Sequence, residues 1–224
     1  MKDRRVGLFV CFCSIIYNDV MRKIILIGGA PAIGKSHTAQ KLAKEFKFSW
    51  ISTDEIRKRM KKQVSRKDQP SLFFFMDQRA ETGTKYLEKS SIEKIVKDQN
   101  NESFAVWKGV SNLIKKENSK KPLIIEGVAI LPSLVAKLKK EKAYKDVNVM
   151  FLVDNDISRI RESIFKRGLW DKANKYPNNI KEKEVEWVTD FNSFITKEAK
   201  KYNFPIIDIN DRKSYLKEIK FFIN

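Results

Sequence analysis

The chain has 224 residues, 42% hydrophobic and 33% charged, which fits one globular domain with a good core. The formal net charge of +18 points to a nucleic-acid partner or to solvated helix faces around a site that takes several phosphates. The basic residues are mostly Lys, scattered along helical stretches and mixed with Glu, which favours the second reading. Cys11 and Cys13 have no further Cys and no nearby His, so they cannot complete a zinc site.

The basic start Lys2-Asp3-Arg4-Arg5 and the apolar run 6–16 resemble the first two regions of a secretion signal. Tyr17-Asn18-Asp19 follows where a small-residue cleavage site is needed, and the run is too short to span a membrane. Residues 1–20 are therefore expected to be an extension outside the fold, with 21–224 forming one domain. The next run, Lys23-Ile24-Ile25-Leu26-Ile27, is short, apolar and β-branched, as a buried strand is. Gly29-Ala30-Pro31-Ala32-Ile33-Gly34-Lys35-Ser36 follows with the spacing G-x-x-x-x-G-K-[ST], the mark of a phosphate-binding loop. Residues 37–46 then place Ala39, Leu42, Ala43 and Phe46 on one helical face.

The chemistry needs that order. Gly29 and Gly34 allow backbone angles that bring main-chain N–H groups close to phosphate oxygens. The helix start adds its positive end and its unpaired amides, including those of residues up to His37. Lys35 brings a point charge to the β- and γ-phosphates, and the Ser36 hydroxyl is a hard oxygen ligand for Mg²⁺.

Residues 49–52 read as a second strand, and Ser52 or Thr53 caps a helix that runs from 54 to about 62. A turn with Pro70 spans 68–71, and 72–76 is apolar without a clear period. Helical spacing returns over 82–97 and again over 103–116. Strands are expected at 121–127, 147–153 and 204–209, and helices at 131–142, 156–167, 181–202 and 214–222. Five strands alternating with helices predict an α/β parallel sheet wrapped on both sides, with ligands at the carboxyl ends of the strands. The strandless region of about 63–103 reads as a helical insertion over the site, and 155–179 as a lid.

Three acids fall at strand ends. Asp54 follows the second strand and suits a base that accepts the proton of an attacking hydroxyl. Arg57, one helical turn later, shares its face and is expected to hold an anionic group on the acceptor. Glu126 ends the third strand and suits a water-mediated Mg²⁺ ligand, an alternative base, or a substrate contact. Asp154 follows the fourth strand and reads best as a cap for the next helix. Arg161 and Arg167 lie in a basic helix that could close on a nucleotide and stabilise transition-state charge.

These residues resemble the P-loop small-molecule kinases of the nucleoside monophosphate kinase type, and most closely the 2-phosphoglycerate kinase-like proteins. The likeness is carried by Gly28 to Ser36, by Ile51-Ser52-Thr53-Asp54-Glu55-Ile56-Arg57, by Trp107-Lys108-Gly109-Val110, and by Ile124-Ile125-Glu126-Gly127-Val128-Ala129-Ile130-Leu131-Pro132. The Ser-Thr-Asp-x-x-Arg element is also similar to polynucleotide kinases, tRNA kinases and zeta-type toxins, so it supports a kinase without fixing the acceptor. The resemblance implies a three-layer αβα P-loop NTPase fold with a five-stranded core, ATP with Mg²⁺, and an arginine-bearing lid. It implies that Lys35 and Ser36 bind nucleotide and metal and that Asp54 acts on the acceptor; with the residue reading above, Gly29 to His37 are expected to bind nucleotide, Ser36 and Glu126 metal, and Asp54, Arg57 and Glu126 the substrate. It places Lys35, Asp54 and Arg167 or Arg161 in catalysis. Relatives often carry His where this chain has Ala129, which opens the acceptor's identity.

The expected activity is transfer of the γ-phosphoryl group of ATP to a hydroxyl of a small anionic metabolite. The alternatives are a nucleic-acid or tRNA end kinase and a non-catalytic nucleotide-binding regulator. An ATP-dependent site implies the cytoplasm, and no membrane partner is expected.

Overall fold

The computed structural model describes residues 24–73, 80–116, 122–145, 147–168, 175–211 and 214–223. The expected extension at 1–20 lies outside them, as do parts of the apolar stretch at 72–76 and of the loop after residue 168. Five parallel strands form one sheet in the order β2-β3-β1-β4-β5. They are β1 (Ile24–Gly29), β2 (Ser49–Ser52), β3 (Leu123–Glu126), β4 (Asn148–Val153) and β5 (Ile206–Asp208). Helices cover both faces, giving a three-layer α/β fold.

The central strands have almost no exposed position because each is covered on two faces, so they read as unbroken apolar runs rather than alternating ones. Ile25, Leu26, Ile27, Ile124, Ile125, Phe151 and Leu152 are fully buried. The edge strand β2 is more open, with Trp50 39% exposed. Helix α7 (Asn178–Lys201) presents Val185, Val188, Phe191, Ile195 and Ala199 at helical spacing to this core, and Trp187 joins them.

The strand order positions the site. The chain leaves the central β1 through α1 (Lys35–Phe46) toward one edge, then passes from β3 to β4 on the other side of β1. Such a switch opens a crevice outside the carboxyl end of the central strand. The register aligns what surrounds it. Ile27 and Ser52 both pair with Glu126, and Gly29 pairs with Leu152.

Between β2 and β3 the described residues form helices and turns and no strand. They include α2 (Thr53–Lys61), a 3₁₀ turn at Pro70–Phe73, α3 (Ala80–Lys89) and α4 (Ile92–Lys116). Here the structure corrects the sequence. The break expected between 97 and 103 does not exist, and the chain breaks instead at Ser90 and Ser91. Ser91 Oγ accepts from the Lys94 amide at 3.2 Å, which caps the start of α4. The helix then runs straight through Asp98-Gln99-Asn100-Asn101-Glu102, because Gln99, Glu102 and Ser103 occupy the buried stripe that Ile95 begins and Val106 and Val110 continue. Phe104 lies off that stripe and is 48% exposed.

The remaining helices are α5 (Pro132–Lys139), α6 (Ile157–Arg167) and α8 (Tyr215–Ile223). Asp156, not Asp154, caps α6, accepting from the Arg159 amide at 3.0 Å. Asp154 is buried and bound to the Arg159 guanidinium, with one contact at 2.8 Å. Among the described residues no helix is long and apolar enough to cross a membrane.

Candidate active site

The loop between β1 and α1 has the backbone that its glycines predict. Gly29 and Gly34 take positive φ values of 144° and 94°, and Ala32 joins them at 59°. A Cβ on Gly29 would drive into the Leu152 carbonyl of the neighbouring strand, so this glycine is required by packing as well as by its angle. Ala30 and Ile33 are buried while Pro31 and Ala32 face the crevice. The loop thus turns its apolar side chains inward and its main chain outward around the start of α1.

Lys35 is buried, and its Nζ donates to the Ala30 carbonyl at 2.5 Å, folding the ammonium across the loop. Burial pushes its pKa down, while the charges of Glu126 and Asp54 oppose that shift and Arg167 adds to it. Ser36 Oγ donates to Glu126 Oε1 at 2.9 Å. Burial pushes the Glu126 carboxyl up, with Lys35 and the Ser36 hydroxyl pulling it back and Asp54 raising it further. Lys35, Ser36, Asp54, Glu126 and Arg167 therefore share one electrostatic neighbourhood, although α1, α2, β3 and α6 supply them.

That neighbourhood is a cleft of about 470 Å³. Pro31, Ala32, Lys35 and Ser36 of the loop and α1, Asp54 of α2, Gln99 and Glu102 of α4, Glu126 of β3, and Lys166 and Arg167 of α6 all line it. The wall from β2 to α2 is fixed by a cap, since Ser52 Oγ accepts from the Glu55 amide at 3.1 Å. Gly127 holds the floor. Its φ is +145°, its amide donates to the Ile27 carbonyl at 3.0 Å, and a Cβ there would overlap the buried Thr53 hydroxyl. We expect Gly127→Ala to lower stability by about 1–3 kcal/mol, the usual cost of a strained backbone position. Urea unfolding would measure it, and an unchanged midpoint would contradict the close approach.

The other candidates lie elsewhere. Arg57 is buried outside the cleft lining, with Nη1 donating to Glu102 at 2.6 Å and Nη2 3.9 Å from Asp54. The acceptor anion expected on Arg57 is thus replaced by this chain's own carboxylate. Arg161 is exposed, pairs with Glu182 on α7 and does not line the cleft. His37 is exposed on the first turn of α1 and does not line it either. Sequence reasoning missed Gln99 and Glu102. The signal was present: they continue the spacing Ile95, Val106, Val110 as polar residues at core positions.

The donors fit Mg²⁺. A hydroxyl and a carboxylate at hydrogen-bond distance are hard oxygen ligands. Among the described residues no group of three or more His, Cys, Asp or Glu could hold a metal. An ion here would complete its shell with water and phosphate oxygens, as Mg²⁺ ordinarily does.

A family model described as an AAA domain matches residues 24–125, from β1 to the residue before Glu126. The match takes in the glycine-bearing loop, Asp54 and Arg57. No curated protein matches it. Among solved structures it is similar to a gluconokinase from Sinorhizobium meliloti 1021, at 14% identity over 90% of this chain and 89% of that one, with a TM-score of 0.48. It is also similar to an uncharacterized protein from Eubacterium ventriosum ATCC 27560, at 15% identity over 90% of this chain and 98% of that one, with a TM-score of 0.45.

Proposed function

We propose that the protein is an ATP-dependent kinase that moves the γ-phosphoryl group to a hydroxyl of a small molecule. The observation that carries this reading is one cleft lined both by a phosphate cradle and by an open carboxylate, Asp54. Asp54 has a 56% exposed side chain, and its one described ion pair is the loose one with Arg57.

In this reading the main-chain amides of residues 29–37 and the Lys35 ammonium hold the triphosphate. Nucleotide draws Lys35 from the Ala30 carbonyl to the β- and γ-oxygens. Ser36 and Glu126 hold Mg²⁺, which supplies charge neutralisation at the phosphates. The acceptor oxygen attacks the γ-phosphorus, the bond from that phosphorus to the bridging oxygen breaks, and ADP leaves. The hydroxyl proton passes to the Asp54 carboxylate. Arg167 and Lys166 offset charge on the migrating group. The region 63–103 supplies the acceptor wall through Gln99 and Glu102, and 155–179 serves as the lid.

The test is release of ADP from ATP and Mg²⁺ in the presence of pooled hydroxylated metabolites, followed by mass detection of the new phosphate ester. We expect acceptor-dependent ADP release well above the acceptor-free rate. ATP binding with no acceptor dependence would make the protein a nucleotide-binding regulator instead.

A further inference from the structure

The start of α2 carries Asp54 and Arg57 three residues apart, on one side of the helix. Asp54 lines the cleft, and its side chain is 56% exposed. Its main chain is held in a helix start that Ser52 caps, but a short carboxylate so open to water turns readily among its rotamers. Arg57 is the reverse case. It is 5% exposed and outside the cleft lining, with Nη1 donating to Glu102 of α4 at 2.6 Å and Nη2 3.9 Å from Asp54 Oδ1.

Close packing of α2 on α4 makes this contact. At Gly109 a Cβ would overlap Met60 Sδ and Ile56 Cγ2, so nothing larger than glycine fits there without a shift. Glu102 lies two turns before Gly109 on the same face of α4, which brings its carboxylate to the residue after Ile56. As structural glue the pair is poorly made. Its described hydrogen bond uses one nitrogen, where a guanidinium can offer two in parallel. Arg57 Nε is buried with no hydrogen-bond partner among the described residues, and an unmet buried N–H costs stability. Nη2 is the part of the fork turned to Asp54.

We propose that Arg57 is a positioning residue for the base. Glu102 fixes the guanidinium, and Nη2 draws Oδ1 of Asp54 toward α2, which leaves the other carboxylate oxygen turned to the acceptor hydroxyl. The inference rests on the kinase reading above, with Asp54 as the proton acceptor, and gives Arg57 a task other than the substrate contact expected from sequence. The negative charge of Glu102 offsets that of Arg57, so Asp54 gains a direction without an uncompensated cation beside it to oppose proton uptake. Arg57 keeps its own protons throughout, as guanidinium groups in proteins do.

The test is Arg57→Lys in the full chain, assayed for ADP release from ATP and Mg²⁺ with the pooled hydroxylated metabolites. Lysine keeps the charge and still reaches Glu102, so the packing of α2 on α4 is retained, but one ammonium cannot serve two carboxylates in the geometry of a planar fork. We expect turnover at saturating ATP to fall by about 10–100-fold, the scale of misplacing a reacting group, with the KM for ATP and the thermal midpoint close to wild type. In the Asp54→Asn background the same change should alter turnover by no more than about twofold, because a residue that acts through another has no effect once that other is gone. Wild-type turnover in Arg57→Lys would overturn the inference and leave the kinase reading standing. So would a loss of equal size in both backgrounds. If Asp54→Asn alone is too slow to measure, the single variant decides: turnover lost with the ATP KM and midpoint kept supports the inference, and turnover lost only in proportion to folded protein overturns it. If Arg57→Lys does not fold, Arg57→Gln, which keeps a donor for Glu102, is measured in its place. Absence of ADP release by the wild type with the whole pool, while ATP and Mg²⁺ still bind, would overturn the kinase reading and this inference with it.

Discussion

Replacing Lys35 by Met is expected to cut phosphoryl transfer by roughly 10²–10³-fold or more, the scale of removing one preorganised charge contact from a transition state. The structure says why so much depends on one side chain. Lys35 is the cation that the loop itself encloses, with its Nζ already against the Ala30 carbonyl of the same turn. The neighbouring carboxylates Glu126 and Asp54 favour its charged form against burial. No amide can replace a point charge on the migrating group. The fold should survive the change, because the variant removes a buried charge that desolvation disfavours and keeps an apolar stem of similar length. The measurement is the rate of ADP formation beside the thermal midpoint without nucleotide. A normal midpoint with lost transfer supports the assignment, whereas wild-type turnover would remove Lys35 from the mechanism.

The second large effect belongs to Asp54. Asp54→Asn should lower turnover by about 10²–10⁴-fold, the usual contribution of a positioned general base, with ATP affinity close to wild type. The two observables separate because Asp54 stands at the entrance of α2, whereas the cradle is made by the turn before α1. The amide side chain keeps the size of the carboxylate and loses only its capacity to take a proton. The loss should appear in kcat for every acceptor. Full turnover in Asp54→Asn would assign the proton to another group.

Much of this site could be read from the chain alone, for a physical reason. The cradle is local: strand, turn and helix lie within residues 24–46, and every requirement on the backbone is met by residues inside that stretch. Ser52 as the cap of α2 and Glu126 at the end of β3 were also legible, since caps and strand ends are short-range features. The acceptor wall was not. Glu102 is 45 residues from Arg57 along the chain, and nothing near either residue announces their ion pair. That pair lets Glu102, and with it Gln99, take positions on an otherwise apolar stripe, so a polar stretch that looked like a break became the middle of α4. Asp154 failed as a cap for the same reason: the Arg159 guanidinium claimed it from across the first turn of α6, and Asp156 took the role. Arg161 pairs with Glu182, 21 residues on, and is turned away from the cleft to which its basic segment led. Strand bounds moved by a residue or two at most ends, which local propensity does not resolve.

Calorimetric titration of ATP into the purified full chain, with and without Mg²⁺, tests the central claim most directly. Saturable binding at one site per chain that weakens when Mg²⁺ is withdrawn is the predicted result. Absence of binding by either ATP or GTP in the presence of Mg²⁺ would contradict it, because a cradle that holds no triphosphate leaves Asp54 with nothing to work on.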